Sequence, residues 1–286
     1  MIRPSGPGGR VHGPPVPAPG TPGRPEVPGK AASVGAVTPL VTLRGVSKRF
    51  GPVQVLHDVD FTARAGEVTA LVGDNGAGKT TLVKCVGGVH APDAGEYRFD
   101  GRPVRLGSPR EAAALGIEVV HQDLALCENL DIVENMFLGR ERRLGVALDE
   151  AAMEDEAIRV LSRLSVRTIG SVRRRVSDLS GGQRQTVAIA RAVLWDSRVV
   201  VLDEPAAALG VAQTQQVLEI VRRLADKGLA VILISHNMND VFAVSDQIAA
   251  LYLGRMAAQV RTADVTHRQV VELITSGRSG DLGLAV

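Results

Sequence analysis

A glycine-rich segment at residues 73–81 constrains the fold of this chain more than any other feature. It reads Gly-Asp-Asn-Gly-Ala-Gly-Lys-Thr-Thr, directly follows an apolar run at residues 68–72, and opens a helical pattern over residues 81–86. Such a loop lets several backbone N–H groups converge on one anion without a clash from side chains. The sequence therefore predicts a strand, a phosphate-binding loop and a helix, in that order.

The residues of this loop have distinct expected parts in nucleotide binding. Lys79 would place its ammonium on the β- and γ-phosphates, and the Thr80 hydroxyl would coordinate Mg²⁺. The glycines would let the backbone approach the phosphates closely. The candidate nucleotide-binding residues of the loop are Gly73, Asp74, Asn75, Gly76, Ala77, Gly78, Lys79, Thr80 and Thr81.

A second motif is the sequence Val-Val-Val-Leu-Asp-Glu at residues 199–204. A buried strand would deliver Asp203 and Glu204 to the carboxyl edge of a sheet, beside the phosphate loop. Asp203 would hold Mg²⁺, directly or through water, and Glu204 would orient and polarise the attacking water. Alone, an apolar run that ends in two acids is equally typical of an ordinary strand end. Together with the loop, it predicts hydrolysis of a nucleotide.

A third motif, Leu-Ser-Gly-Gly-Gln at residues 179–183, leads into a helical pattern over residues 184–194. A serine and two glycines before a helix again present N–H and hydroxyl donors to an anion. The two predicted phosphate-binding segments could serve different nucleotides, or the same nucleotide in a head-to-tail dimer. The candidate residues of the second segment are Ser180, Gly181, Gly182 and Gln183.

These motifs, with a histidine after the next predicted strand, resemble the ATP-binding subunit of ABC transporters over about residues 40–275. The resemblance implies an α/β fold: a P-loop NTPase (RecA-like) core with a mostly parallel sheet, an N-terminal antiparallel β subdomain and an inserted helical subdomain. By the same resemblance, Phe50 matches the aromatic that stacks on adenine, and His236 matches the histidine that contacts the γ-phosphate. Gln122 matches the glutamine that senses the γ-phosphate and Mg²⁺.

The resemblance also implies ATP and Mg²⁺ as cofactors of an ATPase. Its catalytic residues would be Glu204, His236 and Gln122, and its metal ligands Thr80, Gln122 and Asp203. Residue 210 is glycine where many ABC ATPases carry an aspartate that crosses the dimer, which puts the coupling of two ATP sites in question.

Residues 120–131, 135–141 and 234–242 look like the corresponding parts of ribose, xylose and fructose uptake ATPases. This closer resemblance implies import of a monosaccharide, with integral membrane permease subunits and an extracytoplasmic sugar-binding protein as partners. The chain would then lie peripherally on the cytoplasmic face of the cell (inner) membrane. Because each motif occurs once, a second cassette is required, either another copy of this chain in a head-to-tail homodimer or a different cassette.

Charge and sequence organisation argue against a protein that binds nucleic acid or acts on ribosomes. The formal net charge is +2, with 33 basic and 31 acidic residues, which is a poor footprint for binding nucleic acid. The alternative reading is a soluble, non-transport ABC ATPase that acts on ribosomes or DNA. Proteins of that kind usually show paired cassettes, a long coiled-coil insertion or strongly basic segments, and the sequence has none of these.

The chain divides by composition into three parts. Residues 1–39 are rich in Pro and Gly and are expected to be disordered, residues 40–276 form the ATPase domain, and residues 277–286 are a C-terminal tail. A helical insertion is expected at about residues 123–195. Cys85 and Cys127 are expected to be inert core thiols, and no apolar run is long enough to span a bilayer. The predicted strands cover residues 41–46, 68–72, 117–120, 199–202, 230–234 and 248–253.

Overall fold

The computed structural model describes residues 39–164, 170–280 and 284–285. Apart from Pro39, the predicted N-terminal tail lies outside the described residues. The strands are β1 (Val41–Phe50), β2 (Val53–Ala63), β3 (Val68–Gly73), β4 (Ala94–Phe99), β5 (Arg102–Pro103), β6 (Ile117–Val120), β7 (Arg143–Leu144), β8 (Ala147–Leu148), β9 (Val199–Asp203), β10 (Ala230–Ile234), β11 (Gln247–Tyr252), β12 (Arg255–Arg261), β13 (Arg278–Ser279) and β14 (Leu284–Ala285). The helices are α1 (Lys79–Val86), α2 (Pro109–Ala114), α3 (Ile132–Phe137), α4 (Glu150–Arg163), α5 (Gly181–Val193), α6 (Val211–Asp226), α7 (Met238–Val244) and α8 (His267–Ser276).

The central sheet has the strand order β12-β11-β3-β10-β9-β6. All neighbouring pairs in it are parallel except β11 and β12. Strands β3, β9 and β10 consist almost wholly of buried apolar residues, as expected of strands covered on both faces. Since their carboxyl ends meet at one edge, the residues that follow them are brought together there. The predicted α/β class with a mostly parallel sheet is confirmed.

A second sheet lies at the N-terminal side of the domain, with the antiparallel order β2-β1-β4-β5. The residue pattern predicted only the first part of β1, because β2 and β4 carry many half-buried and exposed polar residues. Leu43, Leu56 and Phe61 nevertheless are at most 1% exposed, and they pack with residues of β3 and α1 in one core. The N-terminal antiparallel β subdomain that the resemblance implies is therefore present.

Helices α3, α4 and α5 form the inserted helical subdomain and pack on one another. α4 buries Met153, Ala157, Val160 and Leu161, which recur at the helical spacing read from the sequence. Asp131 and Ser180 cap α3 and α5 through reciprocal bonds with the residue three positions on. The segment is not helical throughout, since β7 and β8 form a short antiparallel ribbon between α3 and α4.

The two cysteines differ in burial. Cys85 lies in the core, and burial raises the pKa of its thiol to about 11. Cys127 is only half-buried, so the prediction of a core thiol is wrong at this position, because the residues of the loop that carries it, 121–131, are exposed or half-buried.

The C-terminal segment follows α8, which ends at Gly277 in the left-handed conformation with φ +71°. Beyond it, β13 pairs with β14. Among the described residues, no helix is long and apolar enough to cross a membrane.

Candidate functional site

The loop between β3 and α1 is held in place from both sides. The Ala77 carbonyl accepts a hydrogen bond of 2.9 Å from the Gly254 N–H, and the Ala77 N–H donates to the Asp74 carbonyl at 3.1 Å. Ala77 is 3% exposed, whereas Asp74, Asn75, Gly76 and Thr80 are exposed and Thr81 is half-buried. The buried anchor fixes the loop, while its exposed residues face outward where a ligand can reach them.

Two glycines of this loop are required by close packing. A Cβ atom on Gly73 would lie 2.5 Å from the Leu251 carbonyl oxygen, and one on Gly78 would lie 2.9 Å from Leu56 Cδ2. Gly78 also has φ +104°, a conformation that L side chains rarely adopt. The tight turn that presents backbone N–H groups at the start of α1 therefore depends on glycine.

Lys79 folds back over the loop. Its Nζ donates to the Gly73 carbonyl at 2.7 Å and to the Asp74 carbonyl at 3.0 Å. Both acceptors belong to the turn that would surround a phosphate, so the ammonium is already placed above that turn. This geometry fits a bound triphosphate, since an ammonium and the first N–H groups of a helix converge on one position.

The Asp-Glu pair ends β9, where the register places Asp203 beside Ile234 of the neighbouring strand β10. The Glu204 N–H donates to the Ile234 carbonyl at 3.0 Å, and Glu204 has φ +50°. Glu204 Oε2 lies 2.8 Å from His236 Nδ1, with the glutamate side chain 17% exposed and the histidine 76% exposed. The structure thus joins the predicted water-orienting acid directly to the predicted γ-phosphate contact.

The charge balance around Asp203 suits a cation. Burial and the neighbouring Glu204 carboxylate raise the pKa of Asp203 above its ordinary value, while His121 and Lys79 act in the opposite direction. Two adjacent carboxylates repel each other, and a divalent cation beside Asp203 would relieve that repulsion. The predicted ligand set of a threonine hydroxyl, a glutamine amide oxygen and a carboxylate offers the oxygen donors that Mg²⁺ takes in phosphate sites.

Gln122 follows β6 at the same edge. Val120, the last residue of β6, pairs with Leu202 of β9, so the chain leaves the sheet next to Asp203. Gln122 is exposed in the loop beyond. The parallel register therefore brings the segment that carries Gln122 to the sheet edge where Asp203 ends β9, although the two residues are far apart in the sequence.

The Ser180–Gln183 motif lies at the start of α5, in the helical subdomain. Ser180 accepts from the Gln183 N–H at 3.3 Å, and Gln183 Oε1 accepts from the Ser180 N–H at 3.0 Å. Cβ atoms on Gly181 and Gly182 would lie 3.1 Å from side-chain atoms of Leu209 and Gln213, so both glycines permit close packing against the start of α6. Gly210 is the N-cap of α6 and makes no side-chain cap.

Phe50 ends β1 with 42% of its surface exposed. Lys48 Nζ lies 5.6 Å from the centre of its ring, and the His90 ring lies edge-on at 5.1 Å. Lys48 is in turn fixed by Asp93 Oδ1 at 2.7 Å and the Ala91 carbonyl at 2.8 Å. The ring is therefore supported by its neighbours, yet it remains open enough to stack on a base.

Replacing the Phe50 ring tests this stacking role. We expect Phe50→Ala to raise the KM for ATP roughly 5- to 150-fold with little change in kcat, because stacking on a base is worth about 1–3 kcal/mol. Steady-state ATPase assays measure both constants. Phe242→Ala is the matched control. The Phe242 ring also packs on a histidine ring, that of His267, with 4.0 Å between the ring centres, but Phe242 lies on α7 and is not a candidate site residue. A KM unchanged in Phe50→Ala would contradict the assignment.

Three residues near the site were missed by sequence reasoning. His121 precedes Gln122 and interacts electrostatically with Asp203, and His90 supports Phe50. Asp240 lies on α7 and is 9% exposed. Burial is the largest cause of the raised pKa of its carboxyl; His236 lowers this pKa, and Glu204 raises it further. The motifs gave no signal for His90 and Asp240, because their proximity to the site depends on tertiary packing, whereas His121 could have been found from its position next to Gln122.

The fold and this site define a P-loop NTPase: a glycine loop with its lysine follows a parallel strand, and paired acids end another strand of the same sheet. The family model described as ABC transporter matches residues 56–207. Together with the relatives below, this match shows that the chain belongs to the ABC transporter family, as one of its ATP-binding cassettes.

Curated relatives align over most of the chain. It is 45% identical to the fructose import ATP-binding protein FrcA of Rhizobium meliloti, over 85% of this chain and 96% of that protein. It is 41% identical to the xylose/arabinose import ATP-binding protein XylG of Sulfolobus acidocaldarius, over 86% and 97%. The ribose import ATP-binding protein RbsA 2 of Rhizobium etli is 44% identical over 82% of this chain, which spans only 46% of that protein. These relatives give no support to an ATPase that acts on ribosomes or DNA.

Solved structures show the same fold at lower identity. The ADP conformation of the ABC transporter cassette MJ1267 superposes with a TM-score of 0.72 at 23% identity, over 83% of this chain and 95% of that one. The cassette MJ0796, in a dimeric post-hydrolysis state bound to ADP and Pi, superposes with a TM-score of 0.65 at 24% identity, over 78% and 98%. At these identities, the two superpositions show a shared fold and nothing further.

Proposed function

We propose that this chain binds and hydrolyses ATP with Mg²⁺ and thereby energises import of a monosaccharide through a membrane permease. The observation that supports the ATPase step most directly is the Glu204–His236 contact of 2.8 Å at the sheet edge that also carries Asp203. A carboxylate held by a histidine beside a phosphate-binding loop is suited to orient water for attack on a phosphate.

The residues divide the chemistry among them. Lys79 and the N–H groups at the start of α1 would hold the phosphates, and Glu204 would position and polarise the attacking water. His236, whose Nδ1 faces Glu204, would direct its other ring nitrogen to the γ-phosphate. The proposed ligands of Mg²⁺ are Thr80, Gln122 and Asp203. When bound, the cation would neutralise charge on the phosphate oxygens.

A single cassette supplies only part of the proposed site. Ser180 and its neighbours lie at the start of α5, which packs on α3 and α4 within the helical subdomain and also on α6 and on β6 of the central sheet. A second cassette in head-to-tail orientation would bring its own Ser180–Gln183 segment against the nucleotide held by Lys79. The dimeric cassette among the structural neighbours supports pairing of this kind. We propose a homodimer, with a different cassette as the alternative.

The sugar import role rests on the relatives. Proteins named as fructose and xylose/arabinose import ATP-binding proteins align over 96% and 97% of their own length, and over 85% and 86% of this chain. We therefore propose permease subunits and an extracytoplasmic sugar-binding protein as partners, no nucleic acid partner, and a peripheral location on the cytoplasmic face of the cell (inner) membrane.

Affinity purification from native membranes tests this role. A tagged full-length chain is purified after gentle solubilisation, and mass spectrometry identifies the proteins that accompany it. We expect a permease together with a sugar-binding protein, and ATP turnover in the purified complex that rises when the cognate sugar is added. The Glu204→Gln chain, purified in the same way, should recover the same partners, with strongly reduced turnover. Recovery of ribosomal or DNA-associated proteins in place of a permease would contradict sugar import.

A further inference from the structure

We propose that the β7–β8 ribbon, residues 140–148, contacts the membrane surface: its apolar tip enters the lipid headgroup layer, and an arginine beside the tip binds anionic lipid phosphates. The proposal rests on the proposed function for its setting, since that function places the chain on the cytoplasmic face of a membrane. The residues of the proposed nucleotide site all lie elsewhere in the chain.

The ribbon stands away from the body of the domain. β7 pairs with β8, and the Asp149 N–H donates to the Arg142 carbonyl at 2.9 Å where the two strands meet the rest of the chain. Gly145, with φ +67°, and Val146 form the turn between the strands. Neither strand packs extensively on any other described helix or strand, and residues 142–148 are all exposed. These side chains are therefore accessible to a partner outside the domain.

The tip of the ribbon is apolar. Leu144 is 75% exposed, Val146 is fully exposed and Leu148 is 50% exposed, and Leu138, just before the ribbon, is also 50% exposed. Four of the eleven large apolar residues exposed in the described part of the chain thus fall within residues 138–148. Tight turns between strands usually carry Asn, Asp or Gly, and clustered apolar side chains at such a place indicate an interaction surface.

The size of the tip favours lipid over protein as the partner. A stable protein interface buries roughly 800 Å² on each partner, which is far more than three aliphatic side chains on a narrow turn can present. A lipid surface needs no matching shape, and apolar side chains enter its headgroup and acyl boundary by roughly 5–10 Å. The tip therefore has the dimensions of a membrane contact.

The charges beside the tip suit an anionic lipid surface. Residues 140–148 contain three arginines and one acid. Arg140 pairs with Glu118 at 3.0 Å, and Arg142 pairs with Glu156 at 3.6 Å. Arg143 makes no ion pair among the described residues. Its guanidinium, next in sequence to Leu144, is available for the bidentate contacts that arginine makes with phosphate.

The acidic groups around the ribbon are already engaged. The Glu141 carboxylate accepts from the Gly139 N–H at 2.8 Å, and the Asp149 carboxylate caps α4 by accepting from the Ala152 N–H at 3.1 Å. Three of the four acidic residues of α4 pair with arginines: Glu150 and Glu154 with Arg173, and Glu156 with Arg142 and Arg159. The unpaired cation of Arg143 is therefore the charge that the ribbon offers to a surface.

Flotation of the purified full chain with lipid vesicles tests this contact without nucleotide. We expect binding to vesicles of equal parts phosphatidylcholine and phosphatidylglycerol, and weaker binding to phosphatidylcholine alone. Leu144→Asn combined with Val146→Asn should lower the partition coefficient about 10-fold or more, because both side chains lose their burial in lipid. Arg143→Gln should lower it roughly fivefold on the mixed vesicles only, since that is the contribution of one basic residue near an anionic surface.

The matched control for the tip is Val211→Asn combined with Val271→Asn. These two residues are 84% and 46% exposed on α6 and α8, and we expect their replacement to leave vesicle binding unchanged. ATP turnover of the Leu144→Asn, Val146→Asn chain should equal that of the parent, which shows that the altered chain is folded.

Val146→Trp reports the position of the tip directly. On the mixed vesicles, its fluorescence should shift to shorter wavelength and be quenched by lipids brominated near the headgroup end of their acyl chains. Val271→Trp on α8 is the matched control and should show neither change. Trp195, which packs on Phe137 with 5.6 Å between the ring centres, is common to both chains.

The outcomes separate this proposal from the proposed function, because flotation requires neither ATP nor a permease. Absence of flotation in the parent would overturn the membrane contact, as would equal flotation of the Leu144→Asn, Val146→Asn chain. If the parent does not float and this variant loses the permease on affinity purification, the ribbon binds a protein and the lipid assignment is wrong. A parent that floats but neither hydrolyses ATP nor recovers a permease would keep the membrane contact and lose the proposed function.

Discussion

Glu204→Gln is expected to lower the kcat for ATP hydrolysis by about 10²- to 10⁴-fold while ATP affinity stays nearly unchanged. The amide keeps the size of the side chain and its ability to accept from His236 Nδ1, which lies 2.8 Å from the carboxylate. It removes the negative charge that polarises the attacking water, and a positioned acid–base group contributes about this factor. Phosphate release at saturating ATP measures kcat, and isothermal titration measures affinity.

The same substitution should also trap paired cassettes. If hydrolysis separates the two chains, the variant should sediment as a dimer with ATP and Mg²⁺ and as a monomer without them. Glu219→Gln is the matched control, because Glu219 forms an exposed pair with Arg223 at 3.2 Å on α6 and should leave turnover unchanged. Near-normal turnover in Glu204→Gln would refute the role of Glu204. A monomer at saturating ATP would refute self-pairing and favour pairing with a different cassette.

Local sequence signals predicted the centre of the fold well. The glycine loop after residues 68–72 and the acids after residues 199–202 depend on short-range patterns: buried apolar strands, and turns that only particular residues permit. The structure gives a steric reason at Gly73, where a Cβ atom would lie 2.5 Å from the Leu251 carbonyl oxygen. These strands could therefore be predicted without information from distant parts of the chain.

Other features could not be read from local patterns. The residues of β2 were not recognised as a strand, since its buried side chains Leu56, Val59 and Phe61 are interspersed with half-buried and exposed polar groups. Its antiparallel pairing with β1 and its packing against β12 decide its conformation. The hydrogen bonds from the Arg191 guanidinium to the carbonyls of residues 124 and 125 likewise join positions separated by 67 and 66 residues. Such pairings are set by tertiary packing, which a single sequence does not display.

The candidate site shows both kinds of information. Motifs predicted the chemical roles of Lys79, Asp203 and Glu204. The arrangement of these residues relative to one another follows from the strand order β3-β10-β9. Strand β10 lies between the strand of the phosphate loop and the strand of the acids, and it contributes the Ile234 carbonyl that accepts from the Glu204 N–H. His236 contacts Glu204 because it lies in the segment that directly follows this intervening strand.

Lys79→Ala is expected to weaken ATP binding roughly 10- to 150-fold, since a charge-assisted hydrogen bond is worth about 1.5–3 kcal/mol. Turnover should fall by about 10²-fold or more, because charge on the transferring phosphoryl group would lose its nearest cation. Removal of the ammonium frees the Gly73 and Asp74 carbonyls, which lie 2.7 Å and 3.0 Å from Nζ at the surface of the loop, where water can replace it. The thermal midpoint without nucleotide should therefore change little.

Lys84→Ala provides the comparison within the same helix. Lys84 lies in the last turn of α1, away from the glycine loop, so its removal should leave ATP affinity and turnover near those of the parent. Lys79→Arg separates charge from shape: it keeps the positive charge, but a planar guanidinium cannot take the place of a compact ammonium above the turn. We expect the arginine variant to stay well below the parent in turnover. Normal ATP affinity and turnover in Lys79→Ala would show that the loop does not hold the triphosphate as proposed.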